Sequence, residues 1–113
     1  MAHETPFLKA ITLPNANQNY QLSALMNALD PDVCNSPLTS RCQYLQLQFD
    51  QNAGSDLLFI GNADISGINF GVMLVGTQAW PLQSMDSNLI RLDQIYLRTT
   101  GVGRVVYVAA LTR

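Results

Sequence analysis

The chain has 113 residues, 48% of them hydrophobic and only 12% charged, with a formal charge of −2. That is one domain's length, enough to bury roughly two-thirds of the unfolded surface without a metal or disulfide staple. Six scattered bases do not make the footprint of a phosphate-backbone binder, no apolar run reaches the roughly 20 residues of a membrane helix, and the composition does not suit disorder.

The charge deficit, about half the usual share, is filled by carboxamides: Asn and Gln supply nine residues each. Seven of the eight acids are Asp and five of the six bases Arg, so Glu4, Lys9 and His3 are each the only residue of their kind. A surface with few charges has little electrostatic protection against association, which points to a chain covered by copies of itself or by a partner. The first residues carry neither the basic nor the apolar region of a signal peptide, so synthesis in a cytoplasm is expected.

In chain order, residues 1–6 read as a flexible arm and 7–113 as one domain. A first strand over 7–13 (FLKAITL) is closed by Pro14 and an Asn-rich stretch. Leu22, Leu25, Met26 and Leu29 then recur with the spacing of a short amphipathic helix, with Asn19 as its N-cap and Asp30-Pro31 as its end. Prolines and polar residues mark a loop to about residue 41.

From there the pattern is β. Residues 42–49 alternate, with Leu45, Leu47 and Phe49 on one face and Gln46 and Gln48 on the other. Residues 50–55 read as a hairpin-type loop. Residues 56–61 (DLLFIG) are apolar on both faces, as in a central strand, and 70–75 (FGVMLV) form the next. Strand 79–84 puts Trp80 and Leu82 on one side, and Pro81 makes it an edge strand or an irregular one. Residues 89–92 and 95–99 flank Asp93-Gln94 as two short strands or one bent one. A Gly turn at 100–103 leads into the closing strand 104–111, with Val105, Tyr107, Ala109 and Leu111 sharing a face. Short strands with a turn signal about every ten residues predict an all-β sandwich or barrel.

No chemistry emerges from the candidate reactive groups. His3 sits where chains fray, so a triad or a histidine-bearing metal site lacks its imidazole. Cys34 and Cys42 have neither redox nor zinc spacing; two unlinked thiols are the expectation, a disulfide the alternative. Asp50, Asp56 and Asp64 with Asn52 and Asn62 offer oxygens for a calcium ion but match no calcium loop, and turn chemistry accounts for them. No pair among the scattered Asp is singled out for glycoside hydrolysis. Trp80 with Tyr44, Tyr96 and Tyr107 could line a sugar-binding face, against the plainer reading of core and rim packing.

The order of elements carries a resemblance: the Asn-rich stretch before the Leu-rich helix (YQLSALM), a cysteine-led strand (CQYLQLQF), then LFIGN, and LIRLDQIYL before a Gly turn and a Val-rich strand. Over about residues 7–111 this resembles small virion structural proteins of tailed bacteriophages, of the β-sandwich or jelly-roll kind that decorate or cement capsids or sit in the neck and tail. The resemblance implies a non-enzymatic, multimeric, cofactor-free protein of the virion that binds the major capsid protein or other virion subunits.

The expected fold is therefore all-β, a jelly-roll-like antiparallel sandwich of seven to eight short strands with one short helix. Phe7, Leu22, Leu25, Met26, Leu29, Trp80 and Leu82 are the expected partner contacts, with strand pairing across subunits as a contributing mode. No cofactor, nucleic acid or membrane is expected. The alternative is a host-glycan-binding β-sandwich module.

Overall fold

The computed structural model describes residues 5–29, 41–83 and 90–112. Among them, nine strands form two antiparallel sheets with one short helix. The strands are β1 (Thr5–Leu13), β2 (Tyr20–Gln21), β3 (Arg41–Phe49), β4 (Leu57–Gly61), β5 (Val72–Val75), β6 (Ala79–Gln83), β7 (Ile90–Arg91), β8 (Tyr96–Thr99) and β9 (Arg104–Thr112). The helix α1 (Leu22–Leu29) follows β2 directly, and a 3-10 turn (Leu92–Gln94) joins β7 to β8.

One sheet has the order β1-β9-β3-β6, with β7 also on β3, and the other β2-β8-β4-β5. The pairs β4–β5, β3–β6, β2–β8 and β1–β9 are those of one long ribbon folded back at residues 62–71. Rolling that ribbon brings β9 against β3 and β8 against β4. This is a jelly roll, the fold expected from the sequence.

The sheets face each other over a core that includes Ile11, Leu45, Leu47, Phe49, Leu58, Leu97 and Val106. Alternation along β3 places Leu45, Leu47 and Phe49 inward as predicted. A bulge between Cys42 and Tyr44 resets the alternation, so that Cys42 and Leu45 are both buried although three residues apart. The central position predicted for DLLFIG is occupied by β4, between β8 and β5. Pro81 lies on the edge strand β6, where its missing N–H costs no ladder bond.

Three local expectations are corrected and one alternative is decided. Residues 50–55, read as a hairpin-type loop, and the Gly turn at 100–103 do not join paired strands: each carries the chain from one sheet to the other, β3 to β4 and β8 to β9. Asn19 does not cap the helix. Its amide instead donates to the carbonyls of Ala63 and Ile65, at 3.1 and 3.0 Å, while the first helical N–H, that of Leu22, donates to Ile95 O at 2.9 Å. Of the two readings around Asp93, the structure has two short strands, and they lie in different sheets. β1 starts two residues inside the segment read as an arm, with Thr5 opposite Thr112 and Pro6 opposite Leu111. Residues 1–4, with His3 and Glu4, lie outside the described residues, as do Asp30, Pro31 and the loop that follows.

Candidate interaction surface

The expected contact residues divide by burial. Phe7, Leu22 and Met26 are at most 1% exposed, and all three belong to the core cluster. They are core side chains and present nothing to a partner; the apolar spacing that singled them out reports the inward stripe of a strand and of a helix. Leu25, Trp80 and Leu82 are partly buried against the same core, and only Leu29 is substantially open, at 47%. Trp80 stands opposite Leu47, an inward residue of β3. It therefore packs on the core side and does not join Tyr44 and Tyr107 on a common face.

The surface that the sequence did not single out is the outer face of the β1-β9-β3-β6 sheet. On β9 the buried residues are Val106, Val108 and Ala110, so the alternate set Val105, Tyr107, Ala109 and Leu111 faces outward. Pairing aligns this set with its neighbours in rows. Leu8, Ala109, Gln46 and Pro81 form one row, and Ala10, Tyr107, Gln48 and Ala79 the next. Tyr44 and Gln83 continue the face beside Leu111.

None of these side chains carries a charge. The exposed margins are apolar or amide, with Leu8 70% exposed and Ala10, Ala79, Pro81 and Gln83 also open. Within the face the Tyr44 hydroxyl donates to Gln46 Oε1 at 2.9 Å, and Gln48 Nε2 donates to Thr77 O at 3.1 Å. The amides are thus oriented by protein partners before anything docks.

The opposite outer face, on the β2-β8-β4-β5 sheet, is covered in part by the chain itself, over Phe59 and Gly61, while Met73 and Val75 on β5 stay exposed. Residues 62–71 fold back over it. Ile65 is 3% exposed and packs over Gly61, where any Cβ would collide with its Cγ2 methyl. The Phe70 ring lies on Phe59, centroids 4.8 Å apart. Asn19 clamps the segment through Ala63 O and Ile65 O, and is itself held by Arg98 Nη1 at 3.0 Å from its Oδ1. Between the loop and the strand ends opens a cleft of about 320 Å³, lined by Gly61, Asn62, Asp64, Ile65, Asn69, Phe70 and Gly71.

Most of the remaining charges are internally paired. Arg104 lies between two carboxylates, with Nη1 3.7 Å from Asp50 Oδ2 and Nε 2.9 Å from Asp56 Oδ2. The Nε contact is one of charge, its N–H not being aimed at the oxygen. Asp50 also accepts from the backbone N–H groups of Asn52 and Val105. Two of the oxygens considered for calcium are therefore occupied by the chain's own guanidinium, and Asp64 sits apart, bonded to Asn69.

Asp93, 8% exposed, is gripped by Arg91 Nε and Nη2 at 3.2 and 2.7 Å. Burial by itself would raise its carboxyl, but the Arg91 hydrogen bonds and charge, with a bond from Gln94, hold it below the ordinary carboxylate value. Cys42 is buried, and Cys34 lies outside the described residues. Among the described residues, no three His, Cys, Asp or Glu gather as a metal-ion set, and no helix is long and apolar enough to cross a membrane.

Comparison with protein-family models, with curated proteins and with solved structures found no match for this chain.

Proposed function

We propose that the chain is a non-enzymatic structural subunit that docks on copies of itself and on other subunits of a particle, in the manner of a bacteriophage capsid decoration or cement protein. The observation that carries the assembly reading is the uncharged centre of the outer face of β1-β9-β3-β6, away from the end where Arg41 stands opposite Arg91. The virion context is drawn from the resemblance in sequence pattern, and the jelly roll is a fold that capsid proteins share with lectins and cupins.

The physical case rests on desolvation. Docking a charged face buries ions, at several kcal/mol each unless every one is paired. A face of alkyl, tyrosyl and carboxamide groups loses little on leaving water and regains its hydrogen bonds from a similar face. Such a surface is compatible with a second copy of itself, because no like charges meet. Four strands about 4.8 Å apart and up to about 30 Å long give the centre of an interface of standard size, about 800 Å² per partner. Adjoining loops complete the rim.

Face-to-face burial is favoured over edge pairing. The open edge of β1 carries Lys9, and that of β6 carries Pro81, the two residues most often used to blunt a sheet edge. Docking in this mode requires no rearrangement of the sandwich.

Sedimentation velocity and particle composition test the reading. The protein is expected to self-associate or to co-purify with particles, while Ala109→Arg, which puts a charge at the centre of a row, gives a folded monomer excluded from them. A protein that stays monomeric and is absent from purified particles overturns the proposal.

A further inference from the structure

The cleft beside residues 62–71 belongs to the other sheet and is not used by the docking face. From its lining we infer that it binds a single unit of a neutral saccharide.

The lining chemistry narrows the ligand class. Its volume of about 320 Å³ lies at the lower end of small-molecule sites. Its side chains supply one carboxylate, Asp64, two carboxamides, Asn62 and Asn69, and one aromatic ring, Phe70. The two glycines leave backbone at the wall. No cation lines it, so an anion would meet Asp64 with nothing to balance the repulsion. A neutral polyol fits: vicinal hydroxyls donate to the carboxylate and both donate to and accept from amides. The weakly polar C–H face of a pyranose packs on an aromatic ring, and Phe70 is 38% exposed while resting on Phe59.

The site is also built before any ligand arrives. Asn69 Nδ2 donates to Asp64 O and Oδ2, at 3.2 Å each, which fixes the carboxylate through one oxygen. Ser66 Oγ accepts from the N–H groups of Ile68 and Asn69, and Ser66 N–H donates to Asn69 O. The Arg98–Asn19 clamp holds Ala63 and Ile65 from below. Among the described residues the Asn62 carboxamide has no side-chain hydrogen bond, and Asp64 Oδ1 has none either, so acceptor and donor capacity remain on the cleft wall. A preorganised loop lowers the ordering cost that otherwise weakens binding of small polar ligands.

Two-dimensional ¹H–¹⁵N NMR of the full chain, in the presence of EDTA, decides the matter. The probes are galactose, glucose, mannose and N-acetylglucosamine, with inorganic phosphate as the anion. The expected result is saturable shifts confined to the amides of residues 61–71 with at least one sugar and none with phosphate. Asp64→Asn is expected to weaken binding about tenfold or more, as loss of a charge-assisted hydrogen bond would. Asn62→Ala, whose side chain bonds to no described residue, is expected to weaken it with unchanged melting temperature. Ala109→Arg binds like the parent, which separates this site from the assembly reading. Absence of saturable shifts with every sugar, binding of phosphate in the cleft, or unchanged affinity in both cleft variants overturns the inference.

Discussion

Asp93 and Gly101 show how single residues lock the crossings between sheets. The 3-10 turn carries the chain from β7 to β8, and its Asp93 is held bidentate by Arg91. Because the folded carboxyl is the stronger acid, its contribution to stability is complete above the unfolded pKa of about 4 and is lost as pH falls through the lower folded value. The melting-temperature gap between the parent and Asp93→Asn is therefore expected to be constant near neutrality and to shrink below about pH 4. At the other crossing a Cβ on Gly101 would strike the Asp56 carboxylate and crowd Arg104. Gly101→Ala is expected to cost about 1–3 kcal/mol in urea unfolding, as overpacking does. Glycine there was legible as a turn signal. Its need to make room for an ion pair was not, since Asp56 is distant in sequence.

At the scale of elements, α1 and residues 62–71 play opposite parts. The helix stripe was readable from spacing alone, and the helix forms where predicted, but its apolar side closes the core. Met26→Ala is expected to destabilise by about 2–5 kcal/mol, the range for emptying a packed site, in thermal or urea melts. Residues 62–71 carry no periodicity, and the strand read over 70–75 starts only at Val72, which leaves Phe70 and Gly71 to the connection. What pins them is the long-range pair Asn19 and Arg98. Asn19→Ala is expected to speed amide exchange at Ser66 and Gly71 while leaving the β9 amides protected, because the segment can open locally. An unchanged exchange pattern would show the clamp to be idle.

Across the whole molecule, the winding joins the two ends of the chain. β1 and β9 pair along their full lengths, and Phe7, Ile11, Val106 and Val108 share one core. Unfolding is expected to be a single transition, with circular dichroism and the fluorescence of Trp80, the sole tryptophan, coinciding. Separated transitions would mean that one sheet survives without the other. Pairing of chain ends also makes nucleation non-local, so refolding in milliseconds to seconds is expected.

The sequence by itself determined the class of fold, most strand positions, the helix and the neutrality of the surface, because each follows from local alternation, turn chemistry or composition. It could not determine which side of β9 faces inward. Both sides are apolar there, Val106, Val108 and Ala110 on one and Val105, Tyr107, Ala109 and Leu111 on the other. Only pairing with β1 and β3, and the second sheet packed on one side, breaks that tie. For the same reason Phe7, Leu22 and Met26, expected as contacts, were drawn into the core, while the docking face includes the set Val105, Tyr107, Ala109 and Leu111 that alternation grouped without saying on which side it lies. Hydrophobic pattern reports that a side chain leaves water; tertiary packing decides whether it does so inside its own chain or against another.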